Sequence, residues 1–275
     1  MEKKSKKEGK IPKILHYVWL GGKEKPDYLI KNLEGWKKFC PDYQIMEWNE
    51  GNFDINCNRY LKEAVEQKKW AFASDYIRLA VTYKYGGIYM DTDVELLKPI
   101  DKFLDVDFFA NFENMVMISF TVIGAKPGSV VLKNMLSKYE DKPFILNAKR
   151  GKLDLTTNVI LGSCMMKEDF GFLLNDTYQE KIIDGEKVVC YPHDFFFAQD
   201  YVSKEILLTE NSHGVHLYAS SWLGKKQRRE DRFVENVRKF LGEKLFRKVM
   251  KRFLIARVKK YTRKYKKQNK KPLAN

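Results

Sequence analysis

An α/β domain, with a mixed, mostly parallel sheet flanked by helices, is the fold class this chain predicts. Three observations predict it. The first fifty residues alternate strand, helix and strand, and a βαβ unit favours a parallel sheet. The 275 residues are 44% apolar and 14% aromatic, enough for one large packed core. Residues 71–94 then run helix, glycine pair, strand, acidic pair, and ligands of open α/β sheets bind beyond the C-terminal ends of strands.

Each element follows from local pattern. Residues 1–10 are a charged start. The run from Ile11 to Trp19 reads as a first strand ending at Gly21-Gly22. A helix is expected from Asp27 to Phe39, with Leu29, Leu33 and Trp36 on one face and Pro41 beyond its end. Tyr43 to Trp48 reads as the second strand, Asn58 to Gln67 as a second helix and Trp70 to Tyr85 as a third. In that third helix Ala73, Ile77, Ala80 and Val81 recur at helical spacing. Gly86-Gly87 ends it, because glycine takes positive φ cheaply, and Ile88-Tyr89-Met90 is a short buried strand. Phe108 to Phe112 and Phe120 to Gly124 are apolar strand candidates, followed by a helix from Ser129 to Tyr139. Residues 140–155 read as loop, and Thr156-Thr157 as the cap of a helix reaching about Met166. Ile182 to Val189 carries Asp184-Gly185 in its middle, a hairpin signal. Gly214 to Tyr218 reads as a last strand before Ser220-Ser221-Trp222.

Charge is unevenly placed. Residues 223–275 hold 21 Lys/Arg against 4 Asp/Glu, leaving 30 against 32 in the rest, so the tail carries the whole excess behind the net charge of +15. Such asymmetry marks an appended surface-binding element. In that tail Phe246, Val249, Met250, Phe253, Leu254, Val258 and Tyr261 follow helical spacing, with Arg247, Lys248, Lys251, Arg252, Lys259 and Lys260 between or beside them. The pattern fits an interfacial membrane helix, or a helix packed on the protein's own body. Cys40, Cys57, Cys164 and Cys190 make no Cys-x-x-Cys pair, which argues against a zinc site or a disulfide framework. No signal-peptide pattern and no spanning apolar run are visible, and a cytoplasmic location at the inner face of a membrane is the expectation.

The chemistry concentrates at the acidic pair. Asp91 and Asp93, two apart in extended chain, point to one side and can hold a hard divalent cation. A lone Asp-X-Asp is equally a solvated turn. The pair fits a glycosidase poorly, since its two carboxylates must flank a sugar about 5 Å or more apart. Asp75 and Arg78 share a helix face inside an apolar helix, which suits a cleft better than a surface ion pair. His216 is the first choice for a third ligand, ahead of His213 in its loop-like setting. His16, on a buried strand, reads as structural.

The string Ser74-Asp75-Tyr76-Ile77-Arg78, then Tyr85-Gly86-Gly87-Ile88-Tyr89-Met90-Asp91-Thr92-Asp93, resembles the Asp-X-Asp sugar-transferase region of glycosyltransferase family 32. That family includes bacterial capsule and exopolysaccharide transferases and yeast-type initiating mannosyltransferases. The string also looks like the catalytic domain of large clostridial glucosylating toxins. The resemblance covers roughly residues 11–222. It implies a GT-A fold, an anomer-retaining transfer of a hexose from a UDP- or GDP-linked donor, and Mn²⁺ or Mg²⁺ held by Asp91, Asp93 and His216. It implies Asp75, Arg78, Asp91 and Asp93 as the catalytic set, with Asp75 and Arg78 on the donor. Val18, Trp19, Leu20 and Gly21 match the nucleotide pocket, with Trp19 stacking on the base, and Tyr89, Thr92, Ser221 and Trp222 join them. Asn158 stands on the acceptor side, where Thr156-Thr157-Asn158 replaces an expected Thr-Gly-Pro-like turn. The acceptor implied is a lipid-linked polysaccharide or lipopolysaccharide precursor. A toxin-like transferase acting on a protein is the alternative. A nucleic-acid-binding protein with an inactive transferase-like domain is a rival, disfavoured because no nucleic-acid motif appears. Arg78→Lys is expected to lower activity with little change in melting temperature.

Overall fold

The computed structural model describes residues 10–200, 203–219 and 225–269. In chain order the elements are β1 (Ile14–Val18), α1 (Asp27–Phe39), β2 (Gln44–Trp48), α2 (Arg59–Glu66), α3 (Trp70–Tyr85), β3 (Gly87–Met90) and β4 (Val94–Leu96). Then come β5 (Phe108–Asn114), β6 (Met117–Ala125), α4 (Val130–Ser137), β7 (Ile145–Asn147), β8 (Lys152–Leu153) and α5 (Asn158–Glu168). Last are β9 (Gln179–Ile183), β10 (Glu186–Tyr191), β11 (Gly214–His216), α6 (Lys225–Leu241) and α7 (Glu243–Asn269).

Seven strands form the main sheet in the order β2-β1-β3-β6-β5-β10-β9. β1, β2, β3, β5 and β10 run one way, and β6 and β9 the other. The sheet is therefore the mixed, mostly parallel one the sequence predicts. One face packs against α2, α3, α4 and α5 through Phe72, Ile77, Phe108, Phe120, Leu132 and Met165. The other packs against α1 and the aromatic run 195–197 through Leu15, Trp36, Ile88, Phe103 and Phe196. The C-terminal ends of β1, β2, β3, β5 and β10 lie along one edge.

Local chemistry explains the turns. Gly86 and Gly87 take φ of 67° and 99°, and a Cβ on Gly87 would lie 2.6 Å from the Ile14 carbonyl oxygen. Only glycine lets the chain leave α3 this close to β1. Asp184 and Gly185 both take positive φ, 47° and 82°, as a two-residue hairpin turn between β9 and β10 requires. The Asn58 side chain caps α2 by accepting from the Leu61 N–H at 3.2 Å. All four cysteines are free thiols.

Two expectations are corrected. Residues 140–155 are not wholly loop: β7 and β8 pair there, and the Ile145 N–H donates to Glu63 at 2.7 Å. The basic tail is two helices broken at Gly242 (φ 71°), and part of it belongs to the body. Val258 packs on Val116 and Met117. Tyr265 donates to Asp169 at 2.5 Å, and Lys266 pairs with Glu168 at 2.6 Å. The apolar stripe therefore splits. Val258 and Tyr265 are buried and Leu254, Ile255 and Tyr261 pack against the body, while Val249 and Phe253 stay exposed. Among the described residues no helix is long and apolar enough to cross a membrane.

His16 is structural. Trp48 Nε1 donates to its Nδ1 at 3.0 Å, and its Nε2 lies 2.7 Å from the Gly86 carbonyl oxygen. Nε2 therefore carries the proton. Burial pulls this imidazole down to about 4. It stays neutral in the fold while the unfolded chain takes up a proton near 6.5. Its contribution is complete above that value and is lost as pH falls toward 4. The slope of stability against pH in this window should be shallower by about 1.4 kcal/mol per unit in His16→Gln than in wild type, measured by urea unfolding.

Candidate active site

The acidic pair leaves the end of β3 at the strand-end edge of the sheet. Helix α1 pins the turn from beneath: Asn32 Nδ2 donates to the Thr92 carbonyl at 2.9 Å and Trp36 Nε1 to the Val94 carbonyl at 2.9 Å. β4 then pairs antiparallel with β11, setting His216 opposite Val94. That pairing carries the imidazole to the acidic pair from more than a hundred residues away. Asp91, Asp93 and His216 each offer a ligand atom within 4.8 Å of the others.

The two carboxylates have different partners. Asp93 Oδ1 lies 3.1 Å from His216 Nε2, and its Oδ2 accepts from the Ala219 N–H at 2.9 Å. Burial alone would raise this carboxyl, but His216 and the backbone donor hold it down at about 2. Burial likewise lowers His216, and Asp93 reverses that, so the imidazole rises above its ordinary value. Asp91 faces inward. Its Oδ1 accepts from Tyr89 Oη at 2.7 Å and lies 3.2 Å from Arg78 Nη2.

Arg78 is 2% exposed. It donates to the Ser74 carbonyl at 3.2 Å and to Ser74 Oγ at 3.1 Å, and lies 3.1 Å from Asp75 Oδ1. Nη1 donates to the Phe120 carbonyl at 3.2 Å, and the guanidinium stacks 4.8 Å from the Tyr89 ring centre. Asp75 is 4% exposed and accepts from Asn158 Nδ2 at 2.5 Å and from the Asn158 N–H at 3.3 Å. Burial pushes the Asp75 carboxyl up, while Arg78 and Asn158 pull it back. Asn158 Oδ1 in turn accepts from the Phe120 N–H at 3.3 Å. Asn158, expected on the acceptor side, thus lies against Asp75 in the buried network.

At the nucleotide side Val18 and Leu20 are buried in the core, and Trp19 is half-buried with its indole N–H donating to the Lys23 carbonyl at 2.8 Å. Gly21 has φ 89° and donates to Glu50 at 2.7 Å. A Cβ there would meet the Trp70 ring at 2.9 Å. Ser221 and Trp222 lie outside the described residues. His213 stays apart from the acidic pair: its Nδ1 lies 2.8 Å from the Asn211 carbonyl and its ring stacks against Phe195.

Sequence reasoning missed three residues. Asn32 fixes the acidic turn. Asn111 is fully buried, donates to the Val122 carbonyl at 2.9 Å and has no partner for its Oδ1 among the described residues. Glu113 hydrogen-bonds Ser119 and feels both His216 and Asp91; burial raises its carboxyl. No local pattern marks them: Asn32 acts on a carbonyl far along the chain, and Asn111 and Glu113 act across β5–β6 register breaks that the residue pattern does not show.

The site fits a divalent cation. One carboxylate oxygen each from Asp91 and Asp93 and one imidazole nitrogen form an oxygen-rich donor set, and His216 Nδ1 is buried with no hydrogen-bond partner among the described residues. The Asp-X-Asp turn thus lies at the strand-end edge of an α/β sheet and is closed by a histidine. Residues 26–110 match the family described as "Glycosyltransferase sugar-binding region containing DXD motif". The resemblance read from residues 74–93 is borne out, while the match leaves both the first strand and residues 111–222 outside it. An uncharacterized glycosyltransferase of Acanthamoeba polyphaga mimivirus is 30% identical over 161 residues, 52% of this chain and 62% of that protein. Inositol phosphoceramide mannosyltransferase 3 of Schizosaccharomyces pombe is 26% identical over 132 residues, 45% of this chain and 36% of that protein. The chain spans less than two thirds of either relative's length. Among solved structures, the PaToxG glycosyltransferase aligns with TM-score 0.47 and 18% identity, covering 58% of this chain and 70% of that one. A glycosyltransferase involved in glycosylating the major capsid of PBCV-1 aligns with TM-score 0.40 and 12% identity, covering 79% and 97%.

The burial of Arg78 revises one expectation. Lysine offers a compact ammonium in place of a planar fork and cannot serve Ser74, Asp75, Asp91 and Phe120 together. Arg78→Lys should therefore lower the melting temperature as well as activity. Asp75→Ala, which removes one of the counter-charges of a buried guanidinium, should cost about 3–5 kcal/mol in urea unfolding.

Proposed function

We propose that this protein is a metal-dependent, anomer-retaining glycosyltransferase of GT-A type. It moves a hexose from a UDP- or GDP-linked nucleotide sugar to a glycan acceptor. The convergence of Asp91, Asp93 and His216 at the strand-end edge of the sheet carries this reading. Charge builds on the phosphate oxygens as the sugar–phosphate bond breaks, and stabilising it is the largest demand of such a transfer. A bound Mn²⁺ or Mg²⁺ supplies that stabilisation as a Lewis acid. Asp93 and His216 hold one side of its site, and Asp91 spans from it to Arg78. Trp19 and Gly21 receive the nucleotide, and Asp75 with Arg78 orients the donor.

The finer reading is a lipid-linked glycan acceptor at the inner face of a membrane. It is supported by the exposed remainder of the tail. Phe240 is 89% exposed and Phe253 58%, with Leu245 and Val249 also exposed, beside Lys244, Lys248, Lys251 and Arg252. Apolar rings amid clustered positive charge suit an anionic lipid surface, where each Lys/Arg contributes about 1 kcal/mol.

Two measurements test this. Nucleotide-sugar turnover should vanish in EDTA and return with Mn²⁺. Asp93→Asn should cost at least about a hundredfold in rate, the size of one lost electrostatic stabiliser. His216→Ala should weaken metal dependence more than His213→Ala. Full activity in EDTA, or a wild-type rate for Asp93→Asn, refutes the metal role. Separately, the protein should sediment with phosphatidylserine-containing vesicles at low salt and be released by high salt. Phe240→Ser with Phe253→Ser should weaken that binding several-fold without changing the melting temperature; equal binding to neutral vesicles would refute the electrostatic account.

A further inference from the structure

β5 and β6 fall out of register twice. Phe109 faces Gly124 but Asn111 faces Ser119, and Phe112 faces Ile118 while Asn114 already faces Met117. Glu113 is the extra residue of the second break. A bulge re-aims a side chain, and bulges gather beside active sites. β5 runs parallel to β3 with β6 between them, so Glu113 and Asp91 both lie toward the C-terminal edge of the sheet.

The Glu113 carboxylate hydrogen-bonds Ser119 and interacts with His216, Asp91 and, from α7, Arg257. It is not one of the three groups that converge on the cation position. The floor between is polar: Ser119 Oγ lies 2.9 Å from Thr121 Oγ1, and buried Asn111 presents an Oδ1 unpartnered among the described residues. On the far side the hairpin tip at Val116 and Met117 packs against Val258 of α7, which walls this end. A carboxylate here has no use for a diphosphate, which offers only negative oxygens. It is an acceptor of hydrogen bonds, and a sugar offers several hydroxyl donors.

We propose that Glu113 is a substrate-contacting residue, whose carboxylate accepts hydrogen bonds from hexose hydroxyls held between the Asp91–Asp93–His216 site and α7. This rests on the transferase reading. The hexose is either the donor's sugar or the acceptor's, and the same experiment separates them. Full-length wild type and Glu113→Gln are compared with Mn²⁺ present. Thermal shift is measured with UDP, GDP, UDP-glucose and GDP-mannose, alongside donor hydrolysis and transfer to p-nitrophenyl hexosides. Glu113→Gln should keep the wild-type shift with the nucleoside diphosphate. For a donor contact, the extra shift from the sugar disappears and hydrolysis at low donor falls about tenfold or more, the loss expected for a hydrogen bond to a charged group. For an acceptor contact, both survive and transfer falls by a similar factor. Glu113→Asp should recover part of either loss. A Glu113→Gln protein equal to wild type in every assay that wild type performs overturns the proposal. So does a variant that loses nucleoside-diphosphate binding as fully as nucleotide-sugar binding. If Gln at this position prevents folding, Ser119→Ala serves instead: it keeps the carboxylate, and should raise donor or acceptor KM several-fold with kcat held. An unchanged KM overturns the proposal equally. A wild-type protein that responds to no nucleotide sugar overturns the transferase reading itself.

Discussion

The guanidinium of Arg78 is the constraint on which the ligand edge depends. A cation 2% exposed is stable only if nearly every donor finds an acceptor and its charge is balanced. Those acceptors come from three elements. Ser74 and Asp75 lie on α3, Asp91 follows β3, and the Phe120 carbonyl lies on β6 where the sheet loses its regular ladder. A carbonyl freed by a break in the sheet would itself be costly if buried without a donor. Arg78 and the irregular strand thus satisfy each other. Asn158 completes the arrangement, closing on Asp75 with its amide and on the Phe120 N–H with its oxygen.

This arrangement gives the acidic pair two different characters. Asp91 is anchored by Tyr89 and Arg78, which fixes its direction and compensates part of its charge. Asp93 faces His216, whose position depends on a three-residue strand pairing with β4. One carboxylate is thereby rigid and tied to the core, and the other is tied to an element that arrives late in the chain. Two aspartates two residues apart look equivalent in sequence. The buried cation on one side and the imidazole on the other make them distinct.

What was legible in the sequence was local. The bounds of α1 follow from Pro41 and the Leu29, Leu33, Trp36 stripe, and the β9–β10 turn from Asp184-Gly185, whose backbone angles are those the turn demands. The acidic pair and the helix before it were legible for the same reason, since strand, glycine pair and carboxylates are contiguous. What was not legible depends on long-range pairing. Nothing near Glu113 announces that β5 slips by one residue against β6. The β7–β8 hairpin lacks an alternating apolar pattern, and its edges are held by Glu63 from another helix. Asn111 and Asn32 are single polar residues whose worth lies in backbone groups many residues away. The burial of Asp75 and Arg78 was half visible: their apolar helix argued against a surface pair, but the depth needed β6 and α5.

The tail divides for a physical reason. An amphipathic helix must bury its apolar stripe, and a stripe longer than the surface that receives it leaves a remainder. Val258, Tyr261, Thr262 and Tyr265 find α5 and the β5–β6 tip, with Tyr265 and Lys266 tied to Asp169 and Glu168. That half gains packing that offsets the proximity of so many like charges. The other part, from Phe240 on α6 to Phe253 on α7, buries Phe246 but leaves Phe240, Leu245, Val249 and Phe253 exposed, and yet keeps a similar density of lysine and arginine. Among the charges there, Glu243 pairs with Arg238 and Arg247. That exposed apolar and cationic surface is what the proposed contact with an anionic lipid surface rests on. The distal half of the same helix stands beside Glu113 through Arg257, so whatever holds the proximal half also fixes the wall of the ligand edge.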